Sequence, residues 1–165
     1  MSSTPRPLGS PTDGPLGIVV RRANDADATA IADVWLAAFD ATYDFAAAHT
    51  DDEVRDWTRL ELLRDTETWV AESADGRVVG FMSLTDDMLE QLYIRPEWTG
   101  RGTGGRLVAL AKTLRPDGLD LYTFQVNAGA RRFYERHAFV AVAFGDGSAN
   151  EERQPDVRYR WTPGA

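Results

Sequence analysis

The 165 residues include no cysteine. That excludes disulfides, thiolate nucleophiles and cysteine metal sites, and it suits a reducing compartment, so a cytoplasmic location is the expectation. Histidine is nearly as scarce. His49 and His137 stand alone, without a spaced carboxylate cluster, so no metal site is expected. No apolar run is long enough to span a bilayer. Positive charge is in deficit: 18 basic residues face 26 acidic ones, for a net charge of -8. Such a surface repels nucleic acid and anionic membrane, and neither is an expected partner.

What remains suits one domain with a real core, since 43% of the chain is apolar and no repeat is visible. Residues 1–17 hold Pro5, Pro7, Pro11 and Pro15 with Gly9, Gly14 and Gly17, which predicts a flexible tail without the apolar core of a signal peptide. The domain is expected over residues 18–165.

The chain is organised around residues 89–114. A short apolar run, 89–94, carries β-favouring Tyr93 and Ile94. Arg95 and Pro96 end it, because proline cannot donate to a sheet ladder. Gly100, Gly102, Gly104 and Gly105 then fall within six positions, and Leu107, Leu110, Ala111 and Leu114 follow at helical spacing. Pro116 and Gly118 stop that helix. The order is strand, glycine-rich turn, helix. The first amides of a helix lack intrahelical partners and sit at the positive end of its dipole, so a diphosphate is a natural guest, with Arg101 and Arg106 adding charge. The plain alternative is a turn with a glycine bulge, which needs fewer glycines.

Two nucleotide folds compete for this pattern. Gly100, Gly102 and Gly105 fit the dinucleotide fingerprint, with Asp120 about twenty residues on. However, Arg95, Pro96, Glu97, Trp98 and Thr99 separate the strand from the first glycine, and too little chain remains for repeated βαβ units. No Lys-Ser or Lys-Thr follows the glycines, which excludes a P-loop.

Tyr93-Ile94-Arg95-Pro96-Glu97 followed by Gly100-Arg101-Gly102-Thr103-Gly104 resembles the acyl-CoA motif of the GCN5-related N-acetyltransferases (GNAT). Gly102 and Gly104 match that motif, while Thr99 stands where Gln or Arg is usual. A second stretch, Asn127 and Ala130 followed by Phe133-Tyr134-Glu135 and Phe139, resembles the family's next segment, with Ala138 in place of a glycine. If that position needs positive φ, the helix ends at a cost. The resemblance covers roughly residues 18–161, most clearly 90–139. It implies a mixed α/β fold, a central, mostly antiparallel sheet of six to seven strands flanked by about four helices, with parallel, splayed fourth and fifth strands.

The rest of the chain accommodates that fold. Strands are predicted at 18–20, 68–72, 77–84, 89–94, 119–126, 139–144 and 157–161, with Asp75-Gly76 as a hairpin turn. Asn24 or Asp25 caps a helix with Ile31, Val34, Trp35, Ala38 and Phe39 on one face. Thr50 or Asp51 caps the next, with apolar positions Val54, Trp57, Leu60 and Leu62. Asn127 suits an N-cap for the last helix.

The resemblance also implies chemistry. Acetyl-CoA, the expected co-substrate, would be held by Leu92, Tyr93, Ile94, Thr99, Gly100, Arg101, Gly102, Thr103, Gly104, Gly105, Arg106, Asn127 and Phe133. The backbone of Leu92 and Ile94 would pair with the pantetheine arm. A side chain at Gly104 would stand where phosphate lies. Tyr134 would protonate the departing thiolate; its plain alternative is a core tyrosine. Glu90 would take the amine's proton, unless water does, and the alternative there is a surface carboxylate. The acceptor would be a small-molecule or peptide amine, cationic in solution, drawn in by Glu90, Glu151 and Glu152 and faced by Phe39, Tyr43 and Phe45. A homodimer stays open. Two other classes compete: a silent acyl-CoA sensor or interaction module on the same scaffold, and a dinucleotide-binding oxidoreductase.

Overall fold

The computed structural model describes residues 17–164. The predicted tail therefore lies outside the described residues except for Gly17. Seven strands form one sheet in the order β1-β2-β3-β4-β5-β7-β6. They are β1 (Val19–Arg22), β2 (Glu67–Glu72), β3 (Val78–Thr85), β4 (Met88–Ile94), β5 (Leu119–Phe124), β6 (Val140–Gly145) and β7 (Asp156–Trp161). Every neighbouring pair is antiparallel except β4 and β5, which are parallel and share the single pairing Met88↔Asp120. The closing strand does not lie outside β6 but inserts between β5 and β6.

Helices cover both faces. On one face α1 (Ala28–Thr42) buries Ile31, Val34, Ala38 and Phe39, as the 3.6-residue spacing requires. Asn24 starts this segment with a capping box whose other half is Asp27. Thr50 and Glu53 form a second box at the start of α2 (Asp51–Trp57). That rod continues through a π-helical turn, Thr58–Leu62, into the short α3 (Leu63–Asp65). The π turn corrects one expectation. Across it the buried positions after Val54 are Thr58 and Leu62, 0% and 2% exposed, while Leu60 lies out at 50%.

The other face carries α4 (Thr103–Leu114), which buries Leu107, Val108 and Ala111 beside Leu119, Leu121 and Tyr159. The last helix, α5 (Ala128–Arg136), adds Tyr134 to that cluster and is capped by Asn127, whose Oδ1 accepts from the Ala130 amide at 3.0 Å. Beyond it Ala138 has φ 65, the left-handed region where the family pattern holds glycine. A Cβ there costs on the order of 1 kcal/mol.

Candidate functional site

Three features meet at the middle of the sheet. The first is the glycine turn. After Ile94 a 3-10 turn, Pro96–Trp98, leads to Gly100 and Gly102, both at positive φ (73 and 85). Gly102 is the N-cap of α4 in the left-handed conformation, and no side chain caps that helix. Its leading amides therefore stay available. Beside them Thr103 is 2% exposed, and its Oγ1 has no hydrogen-bond partner among the described residues. The free amides of an uncapped helix start fit the phosphate oxygens of a CoA-type ligand, while the Thr103 hydroxyl points into the core with no accessible surface.

The remaining residues of the turn divide. The guanidinium of Arg101 lies 4.8 Å over the Trp98 ring. Arg106 is engaged elsewhere, with Nη1 donating to the Ile18 carbonyl. Thr99 closes its own turn by donating Oγ1 to the Pro96 carbonyl at 2.8 Å. A Cβ on Gly104 would meet the Phe133 ring at 3.2 Å, and one on Gly105 would meet Nε2 of His137 at 3.2 Å. These two glycines let α4 approach α5. A side chain at Gly104 would press on the Phe133 ring.

The second feature is the gap between β4 and β5. Past Met88 and Asp120 the two strands share no ladder. The Arg95 amide donates to the Val79 carbonyl at 2.8 Å, continuing the ladder to β3. Peptide groups alternate sides along an antiparallel strand, so those of Gln91 and Tyr93 face β3 and those of Leu92 and Ile94 face the open gap. Of the three consecutive positions expected to hold acetyl-CoA, Leu92 and Ile94 have backbone to offer. Tyr93 instead presents its ring to Trp35 and Phe81.

The third feature is a cleft of about 960 Å³ beside this gap, lined from α1, α2, β4, β5, α5 and the β6–β7 loop. Tyr134 reaches it from α5. The residue is 8% exposed, its ring is packed on Phe133 and Phe139, and its hydroxyl has no hydrogen bond among the described residues. Burial, and then the Tyr43 phenol, pushes its pKa well up, so it keeps its proton at neutral pH. Glu90 lines the same cleft from a β-bulge in β4, where it has no partner across the ladder. It is exposed, and its Oε1 accepts from the Thr85 hydroxyl at 2.6 Å. Bulges of this kind re-aim a side chain.

The wall opposite is aromatic. Trp35 and Phe39 stack at 4.9 Å, Phe39 meets Tyr43 at 4.8 Å, and Tyr43 meets Phe45 at 4.9 Å and Phe124 at 5.3 Å. Glu53, Glu151 and Glu152 stand at the rim. There His49, which sequence spacing leaves without a partner, bonds through Nε2 to Glu151 at 2.7 Å across the chain. Hydrogen bonding to Glu151 raises its pKa, with further contributions from Glu53 and Glu152. The Tyr43–Phe124 and His49–Glu151 pairings carry no local sequence signal, because their partners are far apart in the chain.

Asp120, the residue a dinucleotide fold would turn to a ribose, is consumed. It is buried and accepts from Nε of Arg158 at 2.9 Å and from Nε of Arg160 at 2.8 Å. The oxidoreductase alternative loses its ribose-binding carboxylate.

An antiparallel sheet opened at one parallel pair, with an uncapped glycine turn at the gap and a proton-bearing phenol beside it, defines the acyl-CoA-dependent N-acyltransferase class. The model of the acetyltransferase (GNAT) domain family matches residues 64–141. The peptidyl-lysine N-acetyltransferase YjaB of Salmonella typhimurium is 32% identical over 122 residues, which span 74% of this chain and 83% of that protein. The solution structure of apo-form YjaB from Escherichia coli superposes with a TM-score of 0.74 at 28% identity, covering 90% of this chain and 99% of that one. The PaiA N-acetyltransferase of Thermoplasma acidophilum, solved in complex with coenzyme A, shares the fold with a TM-score of 0.66 at 20% identity over 88% and 98% of the chains. The chain belongs to the GNAT family of N-acetyltransferases.

Proposed function

We propose that the protein moves an acetyl group from acetyl-CoA to an amine that is cationic in solution, by direct attack with both substrates bound. The observation that carries this reading is the Tyr134 hydroxyl, proton-bearing and unpartnered, in a cleft that adjoins the open edge of β4. The leading amides of α4 would hold the diphosphate, and the Leu92 and Ile94 peptide groups the arm. Asn127 and Phe133 serve this side indirectly, one as the cap of α5 and the other as the surface against Gly104.

The acceptor nitrogen first loses a proton, to Glu90 or through water. Its lone pair then forms the C–N bond at the thioester carbonyl, the C–S bond breaks, Tyr134 protonates the leaving thiolate, and the surplus proton on the acylated nitrogen leaves through water, which restores the phenol. No nucleophilic side chain is needed, which suits a chain without cysteine. The carboxylates at the rim concentrate a cationic acceptor, and the aromatic wall faces it. Because the YjaB relatives are named peptidyl-lysine N-acetyltransferases, a lysine side chain is the first acceptor to try.

The experiment is CoA release from acetyl-CoA with a panel of lysine peptides, polyamines, aminoglycosides and peptide N-termini, at low and high salt. Turnover on a cationic amine that weakens with salt supports the reading. A neutral or anionic preferred acceptor overturns the acidic-cleft part, and no turnover on any amine overturns the whole.

A further inference from the structure

One polar group in the cleft has no part in the chemistry described so far: the hydroxyl of Tyr93. Its ring is held between Trp35, 5.8 Å away, and Phe81, 5.9 Å away and near-parallel at 23°. The residue is half-buried and lines the cleft with Tyr134 and Glu152. No hydrogen bond reaches its hydroxyl among the described residues. Burial, followed by the phenols of Tyr43 and Tyr134 and the carboxylate of Glu152, drives its pKa far up, so the group is a neutral phenol throughout the working range.

A phenylalanine would make the same stack. The hydroxyl adds to the cleft wall a hydrogen-bonding group that no described side chain uses, and so one open to a ligand. Tyr93 sits between Leu92 and Ile94, whose peptide groups face the gap, and its ring lies on the α1 face of the same strand. That puts it on the acceptor's side of the sheet.

We propose that the Tyr93 hydroxyl is the contact that orients the acceptor amine, accepting one of its N–H bonds. A deprotonated primary amine keeps two N–H bonds and one lone pair. An oxygen that accepts an N–H turns the lone pair away from itself, toward the thioester side. A neutral phenol does this better than a carboxylate, because a charged acceptor would raise the amine's pKa and hold it protonated. The proposal rests on the acetyltransferase reading, but its contact is measurable without turnover.

The variant is Tyr93→Phe, which keeps the ring between Trp35 and Phe81. A lysine peptide, or whichever panel amine turns over fastest, is titrated calorimetrically into protein saturated with CoA, so that no acetyl group is transferred. Loss of one hydrogen bond predicts binding weaker by about three- to tenfold. The kcat/KM for the amine should fall by a similar factor, while the acetyl-CoA affinity and thermal midpoint hold. Tyr134→Phe should behave differently, lowering kcat while sparing amine affinity. If Tyr93→Phe binds and turns over the amine as the parent does, or if the parent binds no amine at all, the proposal is wrong. If amine binding depends on Tyr93 while no acetyl group is ever transferred, the contact stands and the acetyltransferase reading falls.

Discussion

Nδ2 of Asn127 donates a hydrogen bond of 2.9 Å to the hydroxyl of Tyr43, 84 residues earlier in the chain. The same side chain caps α5 through its Oδ1. One amide thus ties the start of the helix that carries Tyr134 to the aromatic wall of the cleft.

Tyr134→Phe removes only the proton donor. The ring's contacts with Phe133 and Phe139 remain, so the thermal midpoint should barely change. If the phenol protonates the leaving thiolate, kcat should fall on the order of a hundredfold when chemistry limits the rate. Acetyl-CoA affinity, measured by calorimetry, should be unaffected.

Thr103→Val replaces a buried, unpartnered hydroxyl with a methyl of similar size. The ligand-free protein should gain about 1 kcal/mol, because the desolvation cost disappears. Acetyl-CoA affinity should hold, because the hydroxyl has no accessible surface for the diphosphate to touch and the backbone amide of residue 103 is unchanged. A gain in the melt with an unchanged titration is the signature. A loss of affinity of about tenfold would mean that binding exposes this hydroxyl to the diphosphate.

Ala138→Gly relieves a left-handed backbone at the end of α5. The gain is about 0.5–1 kcal/mol, since the strain removed exceeds the added freedom of the unfolded chain by only a little. Denaturant melts at constant m-value check it, and destabilisation would mean the Ala138 side chain has a packing role.

His49 should titrate above the ordinary imidazole range in the folded protein, because Glu151, with Glu53 and Glu152 behind it, favours the charged ring. A raised folded pKa means that the His49–Glu151 link contributes fully below about pH 6.5 and is lost as pH rises through the raised value. Both partners are exposed, so the effect on stability is small and the ring's own NMR titration is the readout. Glu151→Gln should bring that titration down. A His49 that titrates at or below the ordinary range contradicts the link.

The elements were legible in the sequence where local chemistry decides them. Short apolar runs bounded by turn residues marked the strands, capping residues Asn24, Thr50 and Asn127 marked helix starts, and the glycines marked the turn at α4. The motif pair at residues 93–104 and 127–139 pointed to the family. Long-range geometry was not legible. Nothing local says that β7 inserts beside β5, that a π turn exposes Leu60, or that Arg106 reaches the Ile18 carbonyl. The glycines show why. Gly100 and Gly102 serve the turn, whereas Gly104 and Gly105 serve the packing of α4 on α5, and only the neighbours Phe133 and His137 distinguish the two uses.

The most direct test of the account is an initial-rate study with acetyl-CoA and a lysine peptide, with mass analysis of the peptide and of the protein. The account predicts an acetyl group on the peptide's amine, one CoA thiol per acetyl transferred, intersecting double-reciprocal lines, and no acetylated side chain in the protein as an intermediate. Parallel lines with an acetylated protein, or bound acetyl-CoA that no amine of the panel discharges, would contradict it.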